Sequence, residues 1–100
     1  MPLVRFAMII KGPGYDPAVH RTTLSSPTFS TTVVCVSHFA EAILVALELH
    51  QQGFQLIELC GGFSPEQAAE IHRSVDAQIP VGVVRYTSEE QQQLAQLFAP

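Results

Sequence analysis

Residues 56–66, Leu-Ile-Glu-Leu-Cys-Gly-Gly-Phe-Ser-Pro-Glu, set a carboxylate at Glu58, a thiol at Cys60 and two glycines between an apolar run and a helix start. Each is a group that chemistry can use. A carboxylate in a buried strand needs a partner or a raised pKa, which makes Glu58 an acid/base candidate. A thiol just ahead of a helix amino terminus feels the positive end of the helix dipole, which makes Cys60 a candidate nucleophile. By two-residue alternation Glu58 and Cys60 share a strand face. The main-chain amides of Gly61, Gly62 and Phe63 can receive an anion, and Arg85 or Lys11 can supply its counter-charge. His38 opens another predicted helix and is the third catalytic candidate.

The elements that must carry these groups follow from pattern. Residues 3–10 are a nearly unbroken apolar run stopped by Lys-Gly-Pro-Gly, which reads as a strand buried on both faces. Asp16-Pro17 predicts a short helix to about residue 23, with 24–28 as loop. Residues 29–36 are Thr- and Val-rich and read as a second strand, with Ser37 as the next helix cap. Helix formers fill 38–52 and Gly53 is placed to end that helix. Residues 55–60 are a third strand. Ser64-Pro65-Glu66-Gln67 is a capping box opening a helix to about residue 77, 81–86 a fourth strand, and Ser88-Glu-Glu-Gln91 a second capping box.

Alternation of apolar strands with helices predicts a single α/β domain over residues 1–100, a four-stranded parallel sheet in three flavodoxin-like layers, with strand order 2-1-3-4. The alternative is half of a (β/α) barrel closed by a second copy. In either, ligands bind beyond the carboxyl ends of the strands. That edge collects Lys11, Gly12 and Gly14 from the first strand, Ser37 and His38 from the second, Cys60, Gly61 and Gly62 from the third, and Arg85 and Tyr86 from the fourth. His20 and Arg21 join it from the predicted short helix. Cations gathered on one edge of an acidic protein point to a carboxylate or phosphate ligand.

Composition narrows the partners. The net charge is -4 with only five Lys and Arg, too few for general binding to nucleic acid or an anionic membrane. The opening Met-Pro-Leu-Val-Arg lacks signal-peptide features and no apolar run reaches a membrane span, so a cytoplasmic location is expected. Cys35 and Cys60 are then thiols, not a disulfide. A short chain with a wide apolar helix face over 38–52 predicts a homo-oligomer. His20, His38, Glu58 and Cys60 follow no spacing that sets two metal ligands in one element, so no metal site is predicted, and no motif names a cofactor. His50 and His72 read as structural. Gly12-Pro-Gly14 fails as a dinucleotide fingerprint because Pro17 takes the third glycine position. No phosphate loop, nucleophile elbow or Cys-x-x-Cys is present.

Three segments, Lys-Gly-Pro-Gly-Tyr-Asp-Pro with His20-Arg21 after it, Ile57-Glu-Leu-Cys-Gly-Gly-Phe63, and Pro80-Val-Gly-Val-Val-Arg85, resemble a family of small stand-alone bacterial proteins catalogued as a domain of unknown function. The resemblance spans nearly the whole chain and implies a single-domain cytosolic protein, with no activity or site attached. Two functions stay open: a domain that binds a small anionic metabolite, with or without acid/base or thiol chemistry on it, or a non-catalytic oligomeric or partner-binding module.

Overall fold

A computed structural model describes residues 2–99. It holds one mixed five-stranded sheet and three helices, in the order β1 (Arg5–Lys11), β2 (Arg21–Ser25), β3 (Ser30–Val36), α1 (Phe39–Gln51), β4 (Leu56–Leu59), α2 (Pro65–Ser74), β5 (Val81–Val83) and α3 (Ser88–Leu97). The strands lie β2-β3-β1-β4-β5. β1 pairs in parallel with β3 and β4, and β4 with β5, while β2 runs antiparallel to β3 along one edge. The sheet is open, with edges at β2 and β5, so it is not a closed barrel.

The expected helix over 17–23 is a single turn followed by strand β2. Val19 and His20 donate to the Asp16 carbonyl and the Ala18 amide to the Asp16 Oδ1, which completes the Asp-Pro cap. The chain then extends because Arg21-Thr-Thr-Leu-Ser is β-branched enough to pair with β3. Cross-strand hydroxyl pairs, Thr23 with Thr32 at 2.8 Å and Ser25 with Ser30 at 2.9 Å, fix the register of this hairpin.

α1 buries Ala42, Val45, Ala46 and Leu49, one helical stripe. It ends where Gly53 turns left-handed at φ 84°. The Gly53 amide donates to the His50 carbonyl and the Phe54 amide to the Leu49 carbonyl, the double bond of a Schellman motif, and Phe54 packs into the core behind it. α2 opens with the Ser64–Gln67 capping box and Pro65 in its first turn. It stops at Ser74, three residues short of expectation, because Asp76 and Ala77 both take positive φ and close the same double bond onto Arg73 and His72. Thr87, not Ser88, caps α3 through its Oγ1.

Both α1 and α2 lie on one side of the sheet. Ala7, Ile9, Val34, Val36, Ile57 and Leu59 point toward them and are buried. The residues between, Met8, Ile10, Val33 and Cys35, are only half-buried, and Glu58 is exposed. α3 buries no residue. The molecule therefore has two layers where three were expected, and β1, read from the apolar run 3–10, is covered on one face only.

Candidate functional site

Parallel pairing brings the strand exits to one edge. Lys11 stands opposite Val36, and Leu59 stands between Ile9 and Val83. Three further main-chain bonds continue the ladders past the strand ends: Gly12 to Val36, Cys60 to Ile9 and Val84 to Leu59. Gly12, Ser37, Cys60 and Val84 thus leave the sheet side by side, and Arg85 and Tyr86 follow Val84. Helix amino termini converge at such an edge.

The centre of this edge is the tip of β4. Cys60 is half-buried, and its Sγ accepts from the Lys11 amide at 3.3 Å. Lys11 belongs by alternation to the helix-covered face, and its Nζ stands 5.3 Å above the ring of Phe63. Phe63 is 3% exposed and plugs the core below. Gly62 lies beside these groups, where a Cβ would make ordinary contacts of 3.5 Å to the Cys60 Sγ and 3.8 Å to the Lys11 Cε. Gly61 lies against Tyr86, whose Cε2 would be 3.2 Å from an added Cβ. Gly12 lies still closer to the ring of Tyr15, at 2.9 Å by the same measure. Two tyrosines therefore cover two glycines of the edge, a role that sequence reasoning missed for both. The signal available for it was glycine at strand exits with an aromatic nearby, as in Gly12-Pro-Gly-Tyr15.

The amides are not equally available. Phe63 donates its own to the Cys60 carbonyl at 3.2 Å, and Ser64 donates to the Gln67 Oε1 at 3.0 Å. The Phe63 amide is therefore spent in the turn, and the expected three-amide cradle shrinks to two. Among the described residues Gly61 and Gly62 donate to no protein acceptor. Arg85 is exposed and joins no ion pair among the described residues.

Other candidates stand apart. Glu58 is solvated on the face that no helix covers, opposite Met8 and Gly82, and no hydrogen bond joins it to Cys60. Its expected burial rested on a third layer that is missing. His38 is the exposed N-cap of α1. The amides of Ser37 and His38 both donate to the Glu41 Oε1 at 2.9 Å, so this helix terminus already holds a carboxylate. His20 accepts the Asp16 amide at its Nδ1 and meets Tyr15 edge-on. Arg21 starts β2 opposite Val34, close to the edge, but its side chain is drawn onto α1, where it grips Glu48 through two bonds of 2.6 and 3.3 Å. That guanidinium holds the Glu48 carboxyl below the ordinary range for Glu.

A second concentration of cations lines a cleft of about 370 Å³ beside α1, where Arg5 and Arg21 meet Thr23, Thr32 and Gln52. Arg5 binds the Gln52 carbonyl at the end of α1 and lies 4.4 Å over the Phe54 ring. Both guanidiniums are thus engaged in holding α1 to the sheet, at the helix end whose dipole repels anions. Among the described residues no three His, Cys, Asp or Glu side chains gather as metal ligands, and no helix is long and apolar enough to cross a membrane.

Residues 4–99 match the profile of a family described as "Family of unknown function (DUF6506)". The chain belongs to that family. The match covers every strand and helix of the sheet, so the whole DUF6506 domain is the unit to which the edge at Cys60–Gly62 belongs. No curated protein and no solved structure matches.

Proposed function

We propose that this DUF6506 protein is a cytoplasmic binder of a small anionic metabolite, a carboxylate or phosphate, seated on the carboxyl edge of its parallel strands. The observation that carries the reading is the pair of undonated amides at Gly61 and Gly62, flanked by Lys11 and followed by the amino terminus of α2. Adjacent main-chain N–H groups, a cation and a helix dipole act on an anion in the same direction. Gly12 admits the chain close to that edge, and Arg85 is a free guanidinium able to swing onto a second oxygen. The two unpaired thiols, Cys35 and Cys60, suit a reducing compartment.

Binding is the core of the reading, and any covalent step runs through the Cys60 thiol, the one candidate nucleophile at the centre of the edge. Glu58 and His38, both solvated, serve at most as proton carriers at its margins.

A thermal-shift screen of di- and tricarboxylates and sugar phosphates tests the reading on wild type, Lys11→Ala and Arg85→Ala. Ligand at a hundred times its Kd adds about 2.7 kcal/mol, a rise on the order of 10 °C for a domain this size. The expected result is protection of the wild type by at least one anion class, reduced by half or more in each variant. Equal protection of all three proteins would remove Lys11 and Arg85 as anchors, and protection by none would remove the site.

A further inference from the structure

We propose that a second copy of this chain covers the open face of the sheet. That face carries Phe6, Met8 and Ile10 on β1, Val33 and Cys35 on β3, and Leu24 on β2, none of them buried. Leu24 is 67% exposed. All-parallel sheets occur almost only with both faces covered, and here all three parallel pairings lie beneath helices on one side alone. An apolar surface of this kind, continuous across the two central strands, marks an interface.

The area matches what a stable dimer needs. The chain exposes 6425 Å². A compact monomer of 10.9 kDa exposes about 5,600 Å². The excess over the whole chain, about 800 Å², is on the scale of one partner's share of a standard-size interface, with the open face and α3 both part of it. The radius of gyration carries the same message, 14.2 Å against about 13 Å for a compact domain of 100 residues. α3 contributes to both: Leu97 and Phe98 are 78% and 79% exposed, so this helix too presents apolar side chains that its own chain leaves uncovered.

The chemistry of the face selects a copy of itself over other occupants. Its charges stand beside the apolar rows: Glu58 on β4 is opposite Met8 in the β1–β4 register, and His20 and Arg21 at the start of β2 line a shallow pocket with Val33 and Cys35. Among the described residues the one guanidinium there, Arg21, is ion-paired with Glu48, so the face has no cluster of free cations for nucleic acid or anionic lipid. A two-fold axis parallel to the strands and between Met8 and Val33 lays β1 of one copy on β3 of the other and keeps the two Glu58 carboxylates on opposite sides of the axis. Met8 and Val33 face each other across the β1–β3 ladder, so one axis can serve both.

Light scattering across the micromolar range tests this. The wild type is expected at twice 10.9 kDa. Met8→Glu and Val33→Glu, checked for retained helix and sheet by circular dichroism, place an unpaired carboxylate in the interface and are expected to weaken the dimer about a hundredfold or more. In a Cys60→Ser background the Cys35 thiol reports independently: its reaction with a disulfide reagent slows as protein concentration rises. A wild type of 10.9 kDa at all concentrations overturns the proposal and leaves the face to a different partner. A dimer unmoved by both charge substitutions, or a Cys35 rate independent of concentration, also overturns it.

Discussion

Ile9→Ala lowers the unfolding free energy by about 2–5 kcal/mol, while Ile10→Ala, one residue along the same strand, lowers it by no more than about 1 kcal/mol at concentrations where the chain is monomeric. The two side chains are chemically identical, so only their surroundings separate them. Ile9 is fully buried between the sheet and the helices. Deleting its outer carbons removes transfer free energy and leaves a cavity that α1 cannot collapse into. Ile10 points to the open face and leaves solvent behind it. Urea unfolding of both variants at submicromolar concentration, followed by circular dichroism, gives the comparison directly. Equal costs would mean that both faces of β1 are covered within one chain, and the two-layer architecture would be wrong.

Phe63→Ala costs about 3–5 kcal/mol, a large part of the 5–15 kcal/mol that holds a domain of this size together. The ring is nearly fully enclosed and also supports the Lys11 ammonium. Its removal opens the core at the tip of β4 and frees the cation from its perch. Phe63→Leu refills most of the volume and recovers more than half of the loss. Because the Phe63 amide is held by the Cys60 carbonyl, Phe63→Leu leaves the Gly61 and Gly62 amides in place, and anion protection survives in it. A cost for Phe63→Ala below about 1 kcal/mol, read by the same urea titration, contradicts the role of this ring as a plug.

What the sequence disclosed was mostly local. The Ser64–Gln67 box and the Gly53 terminus depend on residues within one turn of each other, and both are found where they were read. The convergence of Lys11, Cys60 and the chain toward Arg85 followed from alternation of strands and helices, which restricts the ways a parallel sheet can be wound. β2 was hidden because Asp16-Pro17 is a true turn cap whose following residues are all exposed and carry no apolar alternation. The open face was hidden for a different reason. An apolar run such as residues 3–10 reads the same whether its second face is covered by its own helices or by another molecule. The misplacement of Glu58 in a buried setting descends from that one ambiguity. The Tyr86 lid over Gly61 joins parts of the chain whose proximity depends on the completed edge, and nothing in a single sequence pairs them, whereas the Tyr15 lid over Gly12 is a contact within Gly12-Pro-Gly-Tyr15.

The most direct test of the central claim is a backbone amide NMR titration with inorganic phosphate. The structure leads us to expect the largest shifts at Gly61 and Gly62, with smaller ones at Lys11 and the first turn of α2, all following one saturation curve. Shifts confined to Arg5, Arg21 and Thr23 in the cleft beside α1, or no saturating shift at millimolar phosphate, would contradict an anion site at the strand exits.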